Sequence, residues 1–132
     1  MSWSSVSRLR VRYAETDQMG VAWHGNYFAW FEVGRTDLLR ERGMSYRELE
    51  EQDLFLPVIE ARACYSRPAR YDDALLVSTR VASHSGARVA FEYEVRREAE
   101  QAPLATGFTA HAAVDGRGKP RRLPPGLRRL LQ

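Results

Sequence analysis

Cysteine is almost missing from this 132-residue chain, in which Cys64 is the only one. A single cysteine excludes an intramolecular disulfide and leaves no cysteine cluster that could hold zinc. The histidines His24, His84 and His111 lie too far apart in sequence to match a local metal-ligand spacing. We therefore expect neither a bound metal nor another resident cofactor.

Long apolar runs are missing as well. No stretch approaches the roughly 20 consecutive apolar residues that cross a bilayer as a helix. The first seven residues also lack the apolar region and the small-residue cleavage site of a secretion signal. These absences predict a cytoplasmic protein with no membrane partner. The length suits one hydrophobic core, so we expect a single domain over residues 1–132.

Acidic residues are missing from the end of the chain after Asp115, whereas basic residues crowd it. The basic residues of this tail, which starts at about residue 117, are Arg117, Lys119, Arg121, Arg122, Arg128 and Arg129. Prolines break the tail and leave room for at most one short helical turn. We interpret the tail as a solvated terminus, and contact with phosphates or nucleic acid stays an alternative.

The apolar pattern predicts one strand followed by one long helix. Residues 5–13 alternate between apolar and basic side chains, with the period of a half-buried strand. From residue 26 to about residue 42 the apolar side chains recur at helical spacing, with Asn26 as N-cap and Gly43 as the stop. Gly34 on the apolar side of this helix would let it lie close to a sheet.

The remaining chain predicts a short helix and four strands. Ser45 and Glu48 have the spacing of a capping box, so a short helix should run to about residue 52. Extended segments follow at residues 54–65, 74–83, 88–96 and 102–114. This order is typical of an α+β fold, in which a five-stranded antiparallel sheet packs on one helix. One helix leaves sheet surface and edges uncovered, which favours a dimer at least.

Residues 12–35 carry the most specific motifs in the chain. They run RYAETDQMGV (12–21), HGNY (24–27) and FEVGR (31–35). These motifs resemble the 4-hydroxybenzoyl-CoA thioesterase family of hotdog proteins, and the order of helices and strands extends the resemblance to about residue 114. The resemblance implies a sheet wrapped around a central helix, a dimer of dimers with active sites at a dimer interface, and hydrolysis of an acyl-CoA substrate.

The resemblance also assigns roles to particular residues. The catalytic aspartate of the family corresponds to Asp17, and the histidine of many bacterial acyl-CoA thioesterases corresponds to His24. Thioester hydrolysis needs a group that attacks or activates water, and donors where charge develops on the carbonyl oxygen. Asp17 suits a general base or a nucleophile, with a preference for the base. Backbone N–H groups at Gly25, Asn26 and Tyr27 would form the oxyanion hole at the start of the helix.

Further residues are predicted to contact the substrate or to stand in reserve. Phe28 would line an acyl pocket near the helix start. The hairpin residues Ser83, Ser85 and Arg88 resemble the CoA-contacting region of the family, and Arg62 and Arg67 are weaker candidates for a CoA phosphate. Glu32 is a reserve catalytic carboxylate, because a related hotdog branch places its carboxylate on the helix. Its spacing from Arg35 favours a structural ion pair instead.

Two other functions remain open at the level of the sequence. A hotdog dehydratase or hydratase would act on 3-hydroxyacyl thioesters with a histidine and a carboxylate. The loop position of Asp17 argues against it. A noncatalytic module would bind acyl-CoA or nucleic acid through the basic tail. That function would leave the motif at the helix entrance unexplained.

Overall fold

The computed structural model describes residues 3–132. In chain order its elements are β1 (Ser5–Arg10), α1 (Asn26–Glu41), α2 (Tyr46–Glu51), β2 (Val58–Tyr65), β3 (Ala74–Ser85), β4 (Arg88–Arg97), β5 (Ala105–Ala112) and α3 (Pro125–Leu131), with one 3-10 turn at Tyr13–Glu15. The five strands form one antiparallel sheet in the order β1-β3-β4-β5-β2. Strands β1 and β2 are therefore its edges.

Helix α1 lies against one face of this sheet and buries its apolar side there. The ring of Phe31 stacks on that of Tyr93 in β4, with centroids 4.5 Å apart and planes at 11°. Two glycines allow this close approach. A Cβ atom on Gly34 would fall on the Oγ1 atom of Thr79, and one on Gly107 would fall on the Phe31 ring. The prediction that Gly34 lets the helix lie close to the sheet is confirmed.

The first strand is shorter than predicted, because it ends at Arg10 and not at Tyr13. The Glu15 carboxylate accepts the Arg12 backbone N–H at 2.8 Å, and the Glu15 N–H donates to the Arg12 carbonyl at 2.9 Å. These two bonds turn the chain into the 3-10 segment and leave Tyr13 78% exposed. The alternation of side chains continued past the strand because the turn itself has no strong sequence signal.

The tail contains more helix than the single turn that was predicted. Helix α3 covers seven residues, and Pro125 stands at its start, where a missing N–H costs nothing. Leu127 and Leu131 are 1% and 4% exposed, so one face of α3 belongs to the core. The prolines thus begin this helix, although we expected them to limit it to a single turn. In residues 3–132, no helix is long and apolar enough to cross a membrane.

Strand β2 has exposed apolar side chains along an unpaired sheet edge. Val58, Ile59 and Tyr65 are 46%, 48% and 45% exposed. The strand begins at Val58, later than the predicted residue 54, because Phe55 makes only an isolated bridge to Val114. One backbone edge of β2 pairs with β5 and the other faces outward.

Candidate active site

A tight loop before α1 holds Asp17 in place through backbone hydrogen bonds. The Asp17 N–H donates to the Val21 carbonyl, and the Gly20 N–H donates to the Asp17 carbonyl, both at 2.9 Å. Gly20 has φ +80°, a conformation that favours glycine in such a turn. Oδ1 of Asp17 accepts the Met19 N–H at 2.9 Å. Within the described residues Oδ2 accepts no hydrogen bond and stays free to take a proton or to attack.

Glu15 ties this loop to the helix, a role that the sequence analysis did not anticipate. Its carboxylate accepts the indole N–H of Trp30 at 3.1 Å, and its carbonyl accepts the side-chain amide of Asn26 at 2.6 Å. Burial acts to raise the pKa of Glu15, but hydrogen bonds from Arg12 and Trp30 outweigh burial and hold this pKa below its ordinary value. Glu15 is therefore an ionised anchor. In the sequence, only the spacing of three residues between Arg12 and Glu15 could have indicated this role.

The start of α1 differs from the prediction in two respects. Gly25 is the N-cap, and Asn26 is the first helical residue, with its side chain turned to Glu15. The N–H groups of Asn26 and Tyr27 are also not free, because they donate to the carbonyls of Trp23 at 3.0 Å and His24 at 3.4 Å. Among residues 3–132, the N–H of Gly25 has no acceptor. Of the three predicted donors, Gly25 is the one that stays available.

The loop and the helix start enclose an open cleft of about 310 Å³. Asp17, His24 and Tyr27 line it together with Tyr65 at the end of β2. The Tyr65 hydroxyl donates to the His24 carbonyl at 2.8 Å, which fixes the last turn before the helix. Asp17 and His24 thus line one solvent-accessible cleft, and Gly25 follows His24 directly in the chain. Arg67 lines the same cleft but already bonds the Glu100 carboxylate and the Ala102 carbonyl.

The sequence model of the Thioesterase-like superfamily matches residues 11–131 of the chain. The chain belongs to this superfamily. Similar sequences include an acyl-CoA thioesterase of Haemophilus influenzae, 36% identical over 118 residues that cover 88% of this chain and 85% of that protein. An acyl-CoA thioester hydrolase of Escherichia coli O157:H7 is 32% identical over 120 residues, covering 90% of this chain and 89% of that protein.

Solved structures, including that of a thioesterase, have the same architecture. The DHNA-CoA thioesterase from Staphylococcus aureus aligns with a TM-score of 0.91 and 35% identity, covering 96% of this chain and 87% of that one. A protein from Thermus thermophilus aligns with a TM-score of 0.91 and 40% identity, covering 96% of both chains. The predicted hotdog fold is confirmed by these likenesses and by the sheet wrapped on α1.

Several predicted substrate residues of this thioesterase-like chain lie far from the cleft. Ser83, Ser85 and Arg88 form the β3–β4 hairpin, whereas the loop with Asp17 lies near the first residue of β3, Ala74. Strand β3 has 12 residues, and at roughly 3.3 Å per residue its ends are about 36 Å apart. One chain therefore does not bring the hairpin and Asp17 to the same thioester.

Arg62 lies on the outer face of the sheet, away from α1. Gly107 faces the Phe31 ring of α1, so its neighbour Phe108 faces the opposite way. The Arg62 guanidinium lies 4.3 Å from the centroid of the Phe108 ring, and its Nε donates to Glu60 at 2.8 Å. Both its charge and its flat surface thus have partners away from the cleft. Phe28 near the helix start is 37% exposed and packs edge-on against Phe31.

Glu32, the reserve carboxylate, lines a different cavity from Asp17. This second cavity has a volume of about 730 Å³ and includes Arg35 and Tyr46. The predicted pairing of Glu32 with Arg35 is present, with 3.8 Å between Oε2 and Nη2. In the described residues 3–132, no group of three or more His, Cys, Asp or Glu side chains could hold a metal ion.

Proposed function

We propose that this protein hydrolyses an acyl-CoA thioester to a free acid and coenzyme A at the cleft beside the start of α1. The observation that carries the proposal is that Asp17 and His24 line one cleft beside the start of α1, where the Gly25 N–H has no acceptor among residues 3–132. Relatives at 36% and 35% identity with thioesterase activity in their names support the same chemistry.

The chemistry assigns one role to each group. Asp17 accepts a proton from water through the oxygen that does not bind Met19, and the water oxygen attacks the carbonyl carbon of the thioester. The Gly25 N–H donates to the carbonyl oxygen as negative charge develops there, supported by the partial positive charge at the N-terminus of α1. When the C–S bond breaks, the sulfur leaves as thiolate and takes up a proton.

Asp17 can also react as a nucleophile. Its oxygen would then attack the carbonyl carbon, expel the thiolate and form a mixed anhydride that water hydrolyses in a second step. The exposed cleft favours direct attack by water, because water reaches both the carboxylate and the position of the substrate. In either route His24 orients the thioester carbonyl or the attacking water.

A second copy of the chain accounts for the substrate residues that lie far from Asp17. Antiparallel pairing of two β2 edges would put the Val58 end of one strand beside the Tyr65 end of the other. The hairpin with Arg88 then approaches the cleft of the partner. Exposed apolar side chains on β2 favour such pairing. We propose a dimer at least, extended by the family resemblance to a tetramer. A cytoplasmic location, with no membrane or nucleic-acid partner, also stays a prediction.

Free-thiol release from a panel of acyl-CoA esters tests this function. The panel contains short and long aliphatic and aromatic acyl groups, and the expected result is thiol release in step with the free acid. A 3-hydroxyacyl-CoA is included, because an enoyl thioester formed without free thiol would assign the cleft to the dehydratase reaction. Binding of every ester without turnover would instead indicate a noncatalytic module and would overturn the proposal.

A further inference from the structure

The cavity that includes Arg35 has more than twice the volume of the cleft at Asp17, about 730 Å³ against about 310 Å³. Its walls are largely apolar and come from the segment before β2 and the segment after β5. Phe55, Leu56, Val58 and Val114 contribute to them, and Arg35 and Tyr46 supply polar atoms. A cavity with apolar walls and a few convergent polar groups is typical of a small-molecule site.

Arg35 is a buried cation with too few partners. Its side chain is 9% exposed, and Glu32 is the one carboxylate within 4 Å among the described residues. That carboxylate is 3.8 Å away, and its own side chain is 69% exposed. The Nε atom of Arg35 is buried without a hydrogen-bond acceptor in residues 3–132. Because removing a guanidinium from water is costly, such a group binds an anion favourably.

Tyr46 adds a second unpaired donor beside Arg35. Its hydroxyl is buried beside the Arg35 guanidinium, and it donates to no acceptor in the part of the chain that the structure describes. Burial raises the pKa of Tyr46, so the phenol keeps its proton and can donate it. Arg35 and Tyr46 are neighbours on the lining of one cavity. Together they offer N–H and O–H donors to one acceptor group.

A buried chain of hydrogen bonds holds Arg35 from the other side. Tyr93 lies beside Arg35 and forms a hydrogen bond with Thr109 at 2.6 Å. Thr109 also bonds Nε2 of His111 at 2.9 Å. On the other side of the ring, Nδ1 of His111 lies 3.0 Å from the Leu56 carbonyl oxygen. The carbonyl only accepts, so Nδ1 donates and Nε2 accepts from Thr109. Thr109 then accepts from Tyr93, which turns the Tyr93 lone pairs toward the guanidinium. Arg35 is thus positioned without losing its charge.

We propose that this cavity binds an organic acid with an apolar body, whose carboxylate is held by Arg35 and Tyr46. The apolar walls would contact the body of the acid. Glu32, Glu50 and Asp115 also line the cavity and repel a ligand with several negative charges. This charge distribution favours a monoanion and disfavours the phosphates of a nucleotide.

Two sources of such a carboxylate follow if the proposed function holds. Hydrolysis of a thioester releases a free acid, which would bind here as product. Alternatively, the acyl group of the substrate carries a second carboxylate at its far end. Pairing of two β2 edges would bring this cavity next to the Asp17 cleft of the other copy, so the far end of an acyl chain could reach it. The cavity chemistry itself does not depend on hydrolysis.

Calorimetric titration measures the binding directly. The ligands are octanoate and benzoate, each with its neutral amide as a matched control, and free coenzyme A. The acids should bind at least about 10-fold more tightly than their amides, because a neutral amide lacks the charge-assisted hydrogen bond to a buried guanidinium. Coenzyme A should not displace them. Equal binding of acid and amide, or no binding of either acid, would overturn the proposal.

Variants locate the site. Arg35→Gln should weaken acid binding at least about 10-fold, and Tyr46→Phe, which keeps the ring and its packing, about 5-fold. Glu32→Gln removes a competing carboxylate and should tighten binding. Arg40→Gln makes the same change on the same helix at a side chain that is 62% exposed, and should alter nothing. Unchanged affinity in Tyr46→Phe and in folded Arg35→Gln would contradict the assignment.

The two sources are separated by activity on adipoyl-CoA and hexanoyl-CoA, which differ at the far end of the chain. A site for the acyl end predicts a higher kcat/KM for adipoyl-CoA, lost in Arg35→Gln. A product site predicts equal turnover and competitive inhibition by the free acid, relieved in Arg35→Gln. If neither effect depends on Arg35, the cavity does not serve the reaction as proposed. Asp17→Asn should keep acid binding without hydrolysis, so failure of the proposed function would be recognised separately.

Discussion

Two regions along α1 differ in how their charged side chains are held: one at its start, which we call the reactive end, and one around Arg35 in its middle, which we call the binding end. At the start of α1, the half-buried Asp17 and the exposed His24 line an open cleft, and backbone turns hold them. Nine residues further along the chain from Asn26, Arg35 is 7% exposed and is held by a chain of buried side chains. An open carboxylate suits a reaction with water, whereas a buried cation suits recognition of an anion. The same helix thus supports a reactive end and a binding end.

Asp17→Asn should have the largest effect and should separate the reactive end from stability. Asparagine keeps the acceptor for the Met19 N–H but cannot take a proton or attack, so kcat/KM should fall about 100- to 10,000-fold. The free energy of unfolding should change by less than about 0.5 kcal/mol, because asparagine keeps the hydrogen bond that the Asp17 side chain makes. Thiol release and denaturant unfolding measure the two quantities.

Asp72→Asn is the matched control for this variant. Asp72 is an exposed loop residue whose φ of +69° asparagine also adopts, and it does not line the cleft. It should keep wild-type activity. Loss of activity in both variants would show that the assay responds to loop disturbance and not to the carboxylate of Asp17.

His111 should make the binding end sensitive to acid. Burial lowers the pKa of His111 from 6.5 to about 4, so the unfolded state takes up its proton first as pH falls. Neutral His111 therefore stabilises the folded state fully above pH 6.5. This contribution to the free energy of unfolding, roughly 3 kcal/mol, is lost as the pH falls from 6.5 to 4. Urea unfolding at pH 7 and pH 4.5 measures it.

The comparison for this effect is His111→Gln, in which no imidazole titrates. Protonation of carboxylates such as Glu15 lowers the free energy of unfolding of both proteins at low pH. The difference between the two pH dependences therefore reports on His111 alone. The wild type should lose more stability than the variant over this range. Parallel curves would mean that the pKa of His111 is the same in the folded and unfolded protein, which would contradict this prediction.

Gly34→Ala should disturb the close packing of α1 on the sheet, which holds both regions of the helix in place. Its Cβ would collide with the Thr79 side chain and approach Val77 Cγ1 to 3.2 Å. The expected loss is about 1–3 kcal/mol in the free energy of unfolding. Gly126→Ala in α3 is the control, since its Cβ comes no nearer than 3.9 Å to Arg129 and it should not destabilise. Equal stability of the two variants would contradict the packing argument.

Ser45→Ala should have the smallest effect and should act on the binding end alone. The Ser45 hydroxyl accepts the Glu48 N–H at 3.2 Å and caps α2, the helix that begins with Tyr46. Loss of this cap should cost about 1 kcal/mol and weaken acid binding while leaving thiol release from hexanoyl-CoA unchanged. Activity that falls with the cap would mean that the two ends are coupled within one chain.

Local patterns predicted the parts of this fold that depend on local contacts. The capping box of Ser45 and Glu48 is present with both reciprocal bonds, because it needs only a spacing of three residues. Gly34 was recognised because a glycine on an apolar helical face has few other uses. Asp17 and His24 were recognised from a motif within one short segment, and the structure brings them to one cleft.

Contacts between distant segments could not be predicted from the sequence. Arg35 is charged, so its sequence context gave no sign that it would be buried beneath Tyr93 and Tyr46. The bonds from Tyr93 to Thr109 and from Thr109 to His111 depend on strand register, which neighbouring residues do not encode. The separation of Arg88 from Asp17 follows from the length and direction of β3, which a linear motif does not contain.

Thiol release by the wild type, Asp17→Asn and Glu32→Gln, measured side by side, shows which carboxylate carries out the hydrolysis. Each variant removes one carboxylate, that of Asp17 from the cleft before α1 or that of Glu32 from the cavity with Arg35, and leaves the shape of the side chain almost unchanged. We expect hydrolysis of hexanoyl-CoA to collapse in Asp17→Asn and to persist in Glu32→Gln. The opposite result, in which hydrolysis persists in Asp17→Asn and collapses in Glu32→Gln, would place the reaction in the cavity with Arg35. It would contradict the assignment of Asp17.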